Sequence, residues 1–235
     1  MGDSTLTDLR RWLTRSGRPL HPDGEAPADD QAGHAPITRE VEFSAYTEDC
    51  RVFGFTQLGA ERLSDALNEH DELRVDSVLL LALDDNRAIE MRELVLKRDE
   101  LIAVRASGPR GNAARRRRTR PSPVVIQAGP YLIRGYLHPT PGGDPLQQFR
   151  RRPPMVPLTE AWIEYEAAGT PSRARVGPII VNRHFVDWVE RATDTDIRVD
   201  LPVEMRIDPR AKDLTGNLRS PQGQLRVSEA QSDAE

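Results

Sequence analysis

Nine arginines in two runs are the residues of this sequence best equipped for binding chemistry. Arg110, Arg115, Arg116, Arg117, Arg118 and Arg120 place six guanidinium groups within eleven residues, and Arg150, Arg151 and Arg152 add three more. Clustered cations of this kind contact phosphates of RNA, DNA or a nucleotide. They are equally what a solvated basic linker looks like in an arginine-biased proteome. Of the 33 lysines and arginines only Lys97 and Lys212 are lysine, which leaves 31 arginines. A GC-rich genome produces that bias without selection for guanidinium chemistry, so no single arginine is a functional signal.

The groups that usually carry catalysis are sparse. Of the five histidines, His21 and His34 fall in a Gly/Pro-rich stretch, and His70, His138 and His184 form no close pair with metal-ligand spacing. His184 and Asp187 read as a His–carboxylate pair, but the matching positions of an earlier turn are Asp99 and Ile102, so the turn does not need that chemistry. Asp84-Asp85-Asn86 is a hairpin turn before it is a cation site. Cys50 is the only cysteine, which excludes an intrachain disulfide and a cysteine-based zinc site within one chain. There is no phosphate-binding glycine loop of the Walker or Rossmann kind and no nucleophile elbow. No catalytic residue, cofactor or metal is therefore assigned.

Bulk properties narrow the class. The formal net charge is -4 and the pI about 5.8, a balance that points to neither nucleic acid nor membrane. The apolar fraction of 37% is too low to build a core along the whole chain, so parts of it are expected to remain unpacked. No apolar run reaches bilayer length, the N-terminus lacks the apolar region of a secretion signal, and Leu6 stands where a myristoylation motif wants Ser or Thr. The expectation is a soluble cytoplasmic protein without membrane insertion.

The elements that would carry any site follow from periodicity. Residues 1–16 contain an amphipathic helix with Leu6, Leu9, Trp12 and Leu13 on one face, a candidate docking element. Residues 17–38 are a flexible acidic linker. From residue 39 to 106 the pattern is β: Val41, Phe43 and Ala45 alternate with polar residues, a Thr47-Glu48-Asp49 turn leads to Arg51–Thr56, a helical piece covers Ala60–Glu69, and strands follow over Leu73–Leu83 and Leu94–Val104. Residues 107–122 form the arginine-rich linker. Residues 123–191 repeat the pattern with a Gly129-Pro130 turn, Tyr131–Leu137, a helical piece over Asp144–Arg152, Val156–Ile163 and Ile179–Val189. Gly54 and Gly135 are 81 residues apart, Val75 and Leu158 83, Val104 and Val189 85; the register drifts only in loops, as duplication followed by loop insertion predicts. In residues 192–235, Ile197–Ile207 alternates like an edge strand, with Pro202 barring it from a sheet interior, and the rest is a disordered tail.

The predicted fold is therefore mainly β: two tandem small curved β-barrels, each with one short helix, behind an N-terminal amphipathic helix. The opening hairpin, with Gly54 or Gly135 partway along its second strand, resembles that of SH3-like and Sm-like small barrels, where glycine permits a bulge at the corner. The whole unit, with its Arg62–Asn68 segment, looks like an uncharacterised bacterial small-barrel family, a resemblance that implies the fold but no activity and no ligand residues. The Arg116–Arg120 spacing ahead of the second unit is similar to the start of a PilZ-type cyclic-dinucleotide site, but the Asp/Asn-x-Ser-x-x-Gly stretch of that family is missing.

Three functions compete on these grounds. The first is a non-catalytic interaction or assembly module that engages a protein partner or self-associates. The second is a nucleic-acid or nucleotide-phosphate binder using the linker arginines, and the third an enzyme of unknown class.

Overall fold

The computed structural model describes residues 38–59, 62–109, 119–204 and 207–211. The expected N-terminal helix, with Leu6, Leu9, Trp12 and Leu13, and the linker arginines Arg110 and Arg115–Arg118 lie outside the described residues.

The alternation of Val41, Phe43 and Ala45 makes β1 (Arg39–Tyr46), which buries those side chains while Glu40 and Glu42 stay exposed. β2 (Cys50–Leu58) returns antiparallel, with Phe43 opposite Gly54. Helix α1 (Leu63–Glu69) follows with Leu63, Ala66 and Leu67 buried, then β3 (Glu72–Ala82) and β4 (Ala88–Lys97). A 3-10 turn at Arg98–Glu100 redirects the chain into β5 (Ala103–Arg105), which pairs with β1. The second half contains β6 (Ser122–Ala128), β7 (Tyr131–Leu137), α2 (Pro145–Arg151), β8 (Met155–Ala167) and β9 (Thr170–Asn182). A 3-10 turn at Arg183–Phe185 and β10 (Val186–Arg191), which pairs with β6, complete it.

All ten strands belong to one antiparallel sheet in the order β10-β6-β7-β8-β9-β5-β1-β2-β3-β4. The order within each half is the same: the fifth strand lies beside the first, and the second, third and fourth follow. The halves meet where β9 pairs with β5, with Val181, Ile180 and Ile179 opposite Ala103, Val104 and Arg105. Among the described residues the sheet does not close, and β10 and β4 each have a single strand neighbour. Each half encloses its own apolar cluster, one around Phe43, Val75 and Leu80, the other around Ile126, Ile133 and Leu158.

Local details recur in both halves. Pairing slips between Phe53 and Phe55 and again between Arg134 and Tyr136, on either side of Gly54 and Gly135. Ser77 in β3 and Glu160 in β8 have left-handed backbones, φ 52° and 50°. Residues next to these bends pair alike: Val75 faces Leu94, and Leu158 faces Ile179.

One expected element does not form. The alternation from Ile197 to Ile207 is not an edge strand: its first residue ends helix α3 (Asp194–Ile197), and within the described residues only Val203 makes a single parallel bridge, to Arg175. Trp162 Nε1 donates to the Asp196 carbonyl at 3.2 Å and Tyr136 Oη to Asp194 Oδ1 at 2.9 Å, which pins the start of the segment to the second half. Beyond it the chain runs as a strap across the sheet. Arg175 N donates to Pro202 O at 2.8 Å, and Glu204 N to Arg175 O at 2.9 Å. Ile207 then packs on Phe53, Leu79 and Leu81 of the first half, and Arg210 forms a two-point pair with Glu40 at 2.7 and 2.9 Å while stacking 3.8 Å from the Phe55 ring. The unbroken burial of β3 from Val78 to Ala82 has its explanation here, because the core covers one face of the strand and the strap the other.

Candidate functional site

The strap closes over a cluster of polar and aromatic groups. Tyr46 ends β1, Arg51 follows Cys50 at the start of β2, Tyr131 begins β7 and Tyr165 lies on β8, so the cluster sits where the two halves meet. The three phenol rings contact one another with centroids 5.4, 5.6 and 6.3 Å apart. The Arg51 guanidinium lies 4.8 Å from the Phe53 ring, 5.6 Å from Tyr165 and 5.9 Å from Tyr46. Glu204 completes the set: Arg51 Nη2 donates to its Oε1 at 2.7 Å, and Tyr46 Oη to its Oε2 at 2.5 Å. Tyr131 Oη donates to the Thr47 carbonyl at 2.7 Å.

Burial, reinforced by the Glu204 carboxylate, pushes the Tyr46 phenol well above its ordinary value. Burial alone would lower the Arg51 guanidinium, but Glu204 and the tyrosines outweigh it and raise it. The cluster is thus a fixed cation inside an aromatic box with its counter-ion supplied by the strap, an arrangement that holds two elements together. The sequence reading missed it, although tyrosine is used only four times and three of the four meet here. That scarcity was the available signal.

Other chemically active groups are also engaged in structure. Cys50 is buried, and burial pushes its thiol up to about 12, so it is neutral at physiological pH. Arg87 pairs with Asp85 at 2.8 Å in the Asp84–Asn86 turn. Among the described residues no group of three His, Cys, Asp or Glu side chains is placed to hold a metal ion, and no helix is long and apolar enough to cross a membrane.

His138 bridges two hydroxyls, its Nε2 2.8 Å from Thr159 Oγ1 and its Nδ1 3.1 Å from Thr119 Oγ1. Burial lowers its pKa, the Arg152 charge lowers it further, and Glu160 opposes both. The unfolded chain therefore takes up this proton at a higher pH than the folded one. Stability from this site is complete above the unfolded value of 6.5 and is lost as the pH falls below it. The melting temperature should accordingly drop as the pH falls below about 6.5, and His138→Gln should flatten that part of the profile. An identical slope in the variant would assign the pH dependence elsewhere.

The described candidate arginines do not converge. Arg120 is exposed just ahead of β6. Arg150 and Arg151 are exposed in the last turn of α2. Arg152 is half-buried and donates to the His138 carbonyl. The large open groove between the halves, about 1270 Å³, has Arg39, Arg62, Arg175 and Arg198 on its walls, but Glu40, Glu42, Glu160 and Asp200 balance them. Such a surface does not concentrate phosphate.

Among the described residues two large apolar side chains are exposed, Trp188 on β10 and Val203 on the strap. β10 carries Trp188, 44% exposed, beside a small cleft that also contains Arg150 and Arg183. At the far end of the sheet β4 has no second strand neighbour among the described residues; along this edge Val95 is half-buried, while Leu94 and Leu96 are buried in the core of the first half. No family model, curated protein or solved structure matches this chain.

Proposed function

We propose that this chain is a non-catalytic interaction or assembly module made of two copies of one small, curved five-stranded barrel unit. The common strand order, the matched bends at Gly54 and Gly135, and the left-handed residues Ser77 and Glu160 support a duplication. The observation that carries the function is that one sheet runs through both units and, among the described residues, stays open at each end. An open strand edge is a template for another chain, bound by main-chain hydrogen bonds and selected by the side chains beside it. The strap supports the same reading, since its contacts to both halves hold the two units as one rigid spacer between the edges.

Phosphate binding through the linker arginines is the competing function, and oligonucleotide titration separates the two. Random-sequence RNA and DNA should bind weakly at physiological salt, and replacing Arg115–Arg118 by alanine should leave protein association unchanged. Tight, salt-steep oligonucleotide binding lost in that variant would overturn the module reading in favour of a nucleic-acid binder.

A further inference from the structure

The pairing that joins the two halves inside the chain predicts how two chains would join. In the internal joint the outer edge of β9, at Ile179–Val181, receives β5, at Ala103–Arg105. Bonds at the ends extend it: Asn182 N donates to Ile102 O and Ala106 N to Pro178 O, each at 2.9 Å. The Asn68 side chain, at the end of α1, exchanges two 3.0 Å hydrogen bonds with the backbone of Met155, the first residue of β8.

Both partners of this joint have counterparts that lack a second strand neighbour among the described residues. β4 pairs with β3 as β9 pairs with β8: Leu94 faces Val75 as Ile179 faces Leu158, and Leu96 faces Leu73 as Val181 faces Val156. The edge at Leu94–Leu96, where Val95 is half-buried between the buried Leu94 and Leu96, is therefore the counterpart of the occupied edge at Ile179–Val181. In the same way Val104 faces Ala45, two residues beyond the Phe43–Gly54 pair, and Val189 faces Ile126, two residues beyond the Val124–Gly135 pair. Trp188–Glu190 is the counterpart of Ala103–Arg105. Ala103 is fully buried by the internal joint, whereas Trp188, at the same place, is 44% exposed.

We infer that the partner of each free edge is a second copy of this chain, paired head to tail, with β10 of one copy laid antiparallel on β4 of the next. The pairs are Trp188 with Leu96, Val189 with Val95 and Glu190 with Leu94. This rests on the module reading and names its partner. Charge supports the same register. The contact made internally by Asn68 on the start of β8 falls, between copies, to Arg150 and Arg151 at the end of α2. They meet the start of β3, where exposed Asp71 pairs with Arg98 at 2.5 Å and exposed Glu72 lies opposite Lys97. The exposed arginines of one end thus face carboxylates of the other. Because the two surfaces differ, the contact is heterologous and generates a ring or a filament, not a two-fold dimer.

Light scattering coupled to size exclusion, run over a concentration series, tests this. The wild-type mass should rise with concentration above the 26.4 kDa of one chain. Trp188→Lys, Glu72→Arg and the double variant Arg150→Glu/Arg151→Glu should each stay at one chain mass with unchanged circular dichroism. An equimolar mixture of Glu72→Arg with the double variant should regain the higher mass, because each carries the charge its partner lacks. A wild type of one chain mass at every concentration, or assembly indifferent to all three variants, would overturn the pairing. A mixture that stays monomeric while each variant alone breaks assembly would overturn the register. A monomeric wild type leaves the broader module reading standing, since that one fails on oligonucleotide binding.

Discussion

Gly54→Ala should destabilise the protein by about 3 kcal/mol, the upper end of the range for forcing atoms into a packed core. A Cβ built on Gly54 lies 2.3 Å from Val75 Cγ1 and 3.0 Å from the Asp76 carbonyl. Neither neighbour yields easily. Val75 is β-branched and fully buried, and the carbonyl belongs to the neighbouring strand where pairing slips. Gly135→Ala should be milder, about 1 kcal/mol, since its Cβ meets Ala161 Cβ at 3.0 Å and Thr159 O at 3.1 Å, contacts that small shifts relieve. Denaturant unfolding of the two variants would measure the order. In the double variant Gly54→Ala/Val75→Ala the loss should fall short of the sum of the singles by about 1 kcal/mol or more, because the second change removes the methyl that the first one strikes. Additive losses would show that backbone, not Val75, sets the limit.

Glu204→Ala should have a comparable effect, about 3 kcal/mol, by leaving the Arg51 cation without its counter-ion and the Tyr46 hydroxyl without its acceptor. The Arg51 and Glu204 side chains are only 16% and 8% exposed, so water replaces the lost carboxylate poorly while the strap stays in place. Arg51 Nε already has no partner, which adds to the imbalance. Glu204→Gln keeps an acceptor and a similar shape and should cost about half as much. Arg51→Met/Glu204→Met removes both charges together and should recover most of the stability, as buried ion pairs commonly permit. Thermal melts give the magnitudes, and limited proteolysis should show the strap of Glu204→Ala cleaved while both halves resist. An unchanged proteolysis pattern would mean that Ile207 and the Arg210–Glu40 pair hold the strap without the buried ion pair.

The local signals in the sequence translated well into elements. Alternation in Val41, Phe43 and Ala45 became β1, helical spacing of Leu63, Ala66 and Leu67 became α1, and Gly54 and Gly135 sit where pairing slips. These readings succeed because a period of two or of 3.6 is written in neighbouring residues. The segment from Ile197 to Ile207 shows the limit. Its alternation is as clean as that of β1, but a buried indole, Trp162, and a phenol, Tyr136, hold the helix Asp194–Ile197 that leads into it, and among the described residues only Arg175 offers it a strand contact. Alternation states which residues want burial, not which surface will bury them.

From the sequence alone came the strand and helix types, the two halves and the scarcity of groups able to do catalysis, because each depends on residue identity and short-range spacing. Only the tertiary structure decided that the halves share one sheet through β9 and β5, that Tyr46, Tyr131 and Tyr165 converge on Arg51, and that Glu204 reaches them from the far end of the chain. Those contacts join residues distant in the chain, and no local period encodes which of several compatible edges and faces will meet. Their outcome follows from the total apolar surface and charge that the folded chain must cover.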